Sequence, residues 1–135
     1  MNKELTKLVE DLTTDIRNAY ETSVTLEQAE RLAAKFLYGQ ICVANALQTS
    51  DLDARMRKNG VKQVKAAVYL EEATKSEKKP TEAMLGALVD RNELVSGEQE
   101  AFDKAEVSKA YLENALSILK DGHIYFRGIS KGRFE

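Results

Sequence analysis

The sequence predicts an all-α protein. Its long amphipathic helices form a helical bundle or coiled coil, followed by a short basic C-terminal tail. Three observations predict this. The 135 residues include only 7 Gly and 1 Pro, so breakers are few. Apolar residues recur at three- and four-residue spacing along most of the chain, the period of a helix face. Two Thr/Ser-x-x-Gln stretches, from Thr25 to Gln28 and from Ser96 to Gln99, read as capping boxes that start helices.

The first helix is expected over about residues 3–20. Leu5, Leu8, Val9, Leu12, Ile16 and Tyr20 form one stripe, and Thr22-Ser23 ends it. The second is expected from 26 to about 74. Its seam carries Leu26, Ala29, Ala33, Phe36, Gln40, Val43 and Leu47, widened by Leu32, Leu37 and Ala44. The seam continues in phase through Ala54, Val61, Val64 and Val68. The polar run Thr49-Ser50-Asp51 and the turn-like Asn59-Gly60 leave two readings open: one bent helix, or two helices joined near 50–60. A polar stretch ended by Pro80 is a linker, because the residue before a proline avoids helix. Thr81 then caps a short helix over about 81–91 through Met84, Leu85, Leu88 and Val89, which Asp90-Arg91-Asn92 interrupts. A last helix is expected over about 97–121, with Gly122 as its left-handed stop. Its heptad seam of Ala101, Ala105, Ser108, Leu112, Ala115 and Leu119 can bury within one chain or between chains. Self-association through Ala101, Ala105, Leu112, Ala115 and Leu119 is the favoured reading, since a long helix buries little alone and the chain has only 4 Phe and 5 Tyr. All of this fits one helical domain over 1–135.

Charge is nearly balanced overall, at −2, but unevenly placed. Residues 54–65 hold Arg55, Arg57, Lys58, Lys62 and Lys65 and no acid. On a helix, Arg55, Lys58, Lys62 and Lys65, spaced three, four and three, put four cations on one face. Such a row can follow a phosphate backbone and would bind in a salt-dependent way. The same row is also what a solvated helix face with acidic partners elsewhere would show. The tail adds Arg127, Lys131 and Arg133, interleaved with Tyr125, Phe126 and Phe134. Rings beside cations can hold a single strand, though packing is the better reading for Tyr125, Phe126, Ile129 and Phe134. Between the basic stretches, residues 81–106 hold seven acids against Arg91 and Lys104, a net of −5, which could meet a basic partner surface.

Other chemistry finds little support. With 1 His and 1 Cys, most nucleophile–base and zinc constellations are excluded, and no phosphate-cradling glycine motif occurs. A bundle metal site wants Glu-x-x-His, but Lys120 stands three before His123. His123 reads instead as a helix C-terminal residue. No cofactor or metal is expected, and an enzyme is the most distant reading. Cys42, in an apolar run, reads as a small buried hydrophobe suited to a reducing compartment. With no signal peptide and no membrane span in the sequence, a cytoplasmic location is expected.

The order of features resembles the phage recombination-mediator (UvsY-like) family. Three places carry the likeness. Val64-Lys65-Ala66-Ala67-Val68-Tyr69-Leu70 looks like that family's basic Leu-Lys-x-Arg-hydrophobic-x-Tyr segment. Asp90-Arg91-Asn92-Glu93-Leu94 resembles its acidic step before the last long helix. Residues 116–134 resemble its final helix and short basic tail with a Phe near the end. The likeness covers most of the chain in layout and about 30 residues in motif. Lys65 falls on the family lysine; the family arginine falls on Ala67, with Lys62 or Lys58 one turn earlier as a replacement charge. The resemblance implies a protein that binds single-stranded DNA as a homo-oligomer and assists a recombinase to load. The alternative from the residues alone is a helical adaptor, scaffold or inhibitor of a host factor that binds no nucleic acid.

Overall fold

The computed structural model describes residues 2–75 and 80–132. Among these there are four helices and no strand: α1 (Lys3–Glu21), α2 (Leu26–Lys75), α3 (Glu82–Arg91) and α4 (Glu93–Ser130). The all-α expectation holds. The expected linker falls mostly on residues 76–79, and Phe134 and Arg133 in the tail; these lie outside the described residues.

Local chemistry explains most boundaries. Asn2 caps α1, its side chain accepting from the Glu4 N–H at 2.9 Å. Thr22 ends it as the C-cap. The Thr25 capping box forms as expected: Gln28 N–H donates to Thr25 Oγ1, and Thr25 N–H donates to Gln28 Oε1, both at 3.1 Å. Thr81 caps α3 through the Met84 N–H at 3.2 Å.

One open reading is decided and two expectations are corrected. First, α2 is one helix of 50 residues, unbroken at 49–51 and at Asn59-Gly60. Ala54, Val61 and Val68 keep the buried seam going past both polar points, so packing outweighs the two weak breakers. Gly60 does not turn the chain; a Cβ there would lie 3.3 Å from the Glu98 Oε2. Second, α4 starts at Glu93 rather than near 97. The cap is Asn92, whose Oδ1 accepts from the Leu94 and Val95 N–H groups at 2.9 and 3.3 Å. The Ser96–Gln99 box does not form, and Gln99 donates to Asp103 instead. Third, Gly122 does not stop α4, which runs on to Ser130. The left-handed stop is Gly132, with φ of 72°. The expected tail is therefore largely helix.

The chain forms two compact units, Met1–Thr49 with Ala110–Glu135, and Ser50–Lys109. In the first, α1 and the facing parts of α2 and α4 bury Val9, Leu12, Phe36, Val43, Leu112, Leu119 and Phe126. Two glycines allow close approach there. A Cβ on Gly39 would sit 2.5 Å from Leu12 Cδ1, and one on Gly122 would sit 2.6 Å from the Phe36 ring. Phe36 and Phe126 pack with centroids 5.4 Å apart. The α1 stripe ends on buried Ala19, while Tyr20 is 87% exposed and Leu26 is also out of the core. The second unit packs Val68, Val89 and Val95, with Val64 against them. Lys109 Nζ bridges to Asp51 Oδ1 at 3.0 Å within this unit.

Candidate nucleic-acid interface

Because α2 is continuous, Arg55, Lys58, Lys62 and Lys65 do share one face. Its position follows from the seam. Arg55 and Lys62 come one residue after buried Ala54 and Val61, and Lys58 and Lys65 come four after them. At about 100° per residue this puts the cations on the flank bordering the buried seam, not on the back of the helix. Arg55, Lys58 and Lys62 are exposed, and Lys65 is half-buried.

The acids missing from 54–65 lie one turn upstream. Arg55 pairs with Asp51 at 3.0 Å and Arg57 with Asp53 at 3.2 Å. Both pairs are at the surface, where such bridges contribute little and a phosphate can replace the carboxylate. Lys58, Lys62 and Lys65 make no ion pair within 4.0 Å among the described residues. Lys65 borders a groove of about 300 Å³ together with Asp90, Glu100 and Asp103. The row is thus free in its middle, paired at Arg55, and flanked by acids at Lys65.

Arg127 is exposed in the last turn of α4, and Lys131 follows just past its end. Arg133 lies outside the described residues. Of the tail aromatics, Phe126 is wholly buried and Ile129 packs against the same core. Tyr125 lies edge-on to Phe126 at 5.3 Å and is 43% exposed. Packing therefore accounts for Phe126 and Ile129, while the Tyr125 ring is partly exposed.

The expected self-association seam closes within the chain. Ala105, Leu112, Ala115 and Leu119 are buried in it, and Ala101 is half-buried. Ala105, Leu112, Ala115 and Leu119 are thus covered by their own chain, while Ala101 stays partly open. His123 is also corrected. It sits inside α4, not at its end, with Nδ1 2.9 Å from the Ala33 carbonyl oxygen. Cys42 is half-buried rather than enclosed.

Sequence reasoning missed the Asp51–Lys109 bridge, which spans 58 positions and has no local signal. The hydrogen bond from Lys109 is the main reason the Asp51 carboxyl is held below its ordinary value; Arg55 adds to this, and burial opposes it. Asn92 as a cap was legible: an N-cap residue followed at once by Glu93.

Among the described residues no cluster of three or more His, Cys, Asp or Glu is placed to hold a metal ion. Among them, too, no helix is long and apolar enough to cross a membrane. The class that fold and surface define is an all-α protein of long helices with a cation row on one of them. No family model, curated protein or solved structure matches the chain.

Proposed function

We propose that this chain is a non-enzymatic recombination mediator that binds single-stranded DNA along α2 and acts as a homo-oligomer in the cytoplasm. One observation carries the reading. Arg55, Lys58, Lys62 and Lys65 lie on one face of an unbroken helix, with Lys58 and Lys62 exposed and unpaired among the described residues. A helix rises about 1.5 Å per residue, so the ten steps from Arg55 to Lys65 span roughly 15 Å, the reach of a few nucleotides. Each subunit then makes few phosphate contacts, and useful affinity comes from several subunits on one strand. Oligomer contacts would use surfaces other than the buried α4 seam. Arg127 and Lys131 extend the set of exposed cations. A recombinase is the protein partner this reading calls for.

The test replaces Lys58, Lys62 and Lys65 together by Ala and measures binding of a labelled single-stranded oligonucleotide across a salt series, with the mass of the complex read on the same samples. Loss of three phosphate contacts lowers the slope of log K against log salt by about 2, at roughly 0.7 per contact for single strands. Helix content and free-protein mass stay as in the parent. An unchanged affinity and slope would make the row a solvated face.

A second reading has its own observation. Leu52, Met56 and Leu70 of α2 and Leu94 and Val107 of α4 are each at least 60% exposed. Exposed large apolar side chains in this number suit a protein-binding helical module, an adaptor, scaffold or inhibitor, without nucleic acid. Salt-independent capture of a protein, with no oligonucleotide binding at low salt, would select it.

A further inference from the structure

Lys65 differs from the rest of the row. It is half-buried, and the charged residues that share its groove are all acids: Asp90 at the end of α3, and Glu100 and Asp103 on α4. The two α4 carboxylates are tied to their own helix. Glu100 pairs with Lys104 at 3.1 Å, and Asp103 accepts from Gln99 Nε2 at 3.0 Å. Lys65 is within reach of this acidic edge yet forms no ion pair with it among the described residues. The row therefore has a negative wall along one side at its C-terminal end.

We propose that this wall selects single-stranded over duplex nucleic acid; the inference rests on the functional reading above. A single strand laid on the row brings one line of phosphates to the cations and can turn its bases away from the wall. A duplex brings a second backbone across a minor groove about 6 Å wide. Packed helices lie about 8–10 Å apart, so the wall on α3 and α4 stands off the row by a similar distance. That is within a Debye length of about 10 Å at 0.1 M salt, where repulsion between the second backbone and the carboxylates is felt. The first strand is shielded by the lysines it contacts; the second meets Asp90 and Asp103, which form no ion pair among the described residues, and Glu100, whose charge Lys104 partly offsets.

The experiment compares single-stranded and duplex oligonucleotides of one length, at about 0.1 M salt, on the full chain and on Asp90→Asn/Glu100→Gln/Asp103→Asn. All three side chains are exposed, so the fold is kept; Glu100→Gln/Asp103→Asn alone gives the same direction if Asp90 proves structural. Duplex affinity is expected to rise about fivefold and single-strand affinity no more than about twofold, so the preference narrows. The matched control Glu4→Gln/Glu10→Gln/Asp11→Asn removes the same charge from α1 and leaves the preference as it was. A preference unchanged in the wall variant, or narrowed equally by the control, overturns the inference while leaving single-strand binding intact. A parent chain that binds neither form overturns the functional reading itself and this inference with it.

Discussion

Replacing Gly122 by Ala separates two roles for this glycine. As an ordinary interior helix position it would gain up to about 1 kcal/mol from the better helix former. The surroundings say otherwise. The new Cβ would lie 2.6 and 2.7 Å from two carbons of the Phe36 ring and 3.3 Å from Ile16 Cδ1. Ordinary contact begins near 3.4 Å, so the ring must give way by about 0.8 Å. Phe36 is fully buried and held against Phe126, so it has no free direction to move. Overpacking of this kind costs about 1–3 kcal/mol. The net expectation is a loss of about 1–2 kcal/mol, read as a fall in Tm of about 4 °C per kcal/mol in thermal unfolding followed by circular dichroism. Gly97 provides the contrast: nothing lies within 4 Å of its Cβ position, so Gly97→Ala should stabilise by about 0.5–1 kcal/mol. Adding Phe36→Leu to Gly122→Ala removes the obstructing ring carbons, and the double variant should lose at least about 1 kcal/mol less than the sum of the singles. A Gly122→Ala protein as stable as the parent, or a strictly additive double, would refute the close-contact reasoning.

Three further outcomes follow from the same packing. Phe126→Ala should cost about 3–5 kcal/mol in urea unfolding, because its ring fills the core rather than a flexible tail. Asn92→Ala should cost about 1 kcal/mol and speed amide exchange at Leu94 and Val95, the two N–H groups it caps. Asp51 should titrate below an ordinary aspartate in a carboxyl-resolved NMR experiment, and Lys109→Met should bring it back up. Since the folded-state pKa is the lower one, its contribution to stability is complete above the unfolded aspartate value and disappears as the pH falls through the folded one.

Much of the architecture is written in local spacing. The three–four recurrence of Ala29, Ala33, Phe36 and Val43 specifies the buried face of α2, because a helix returns to the same side every three or four residues. The caps at Thr25 and Thr81 are equally local, since each needs only a side chain three residues from an N–H. The cation row, too, needed only spacing and a helix to hold it. What depends on non-local contacts was not legible. That Gly122 lies inside α4 and lets Phe36, 86 positions away in sequence, approach closely shows only in the packing. Whether Ala105, Leu112 and Leu119 face a second copy or their own chain depends on which helix occupies the seam, and the heptad pattern is the same in both cases. The tertiary structure alone put Asp90, Glu100 and Asp103 beside Lys65, because helix packing joins residues that sequence separates. The sequence by itself thus determined the helices and the row of charge; only the folded chain decided what lies against that row, since charge neighbours across helices are set by packing and not by spacing along the chain.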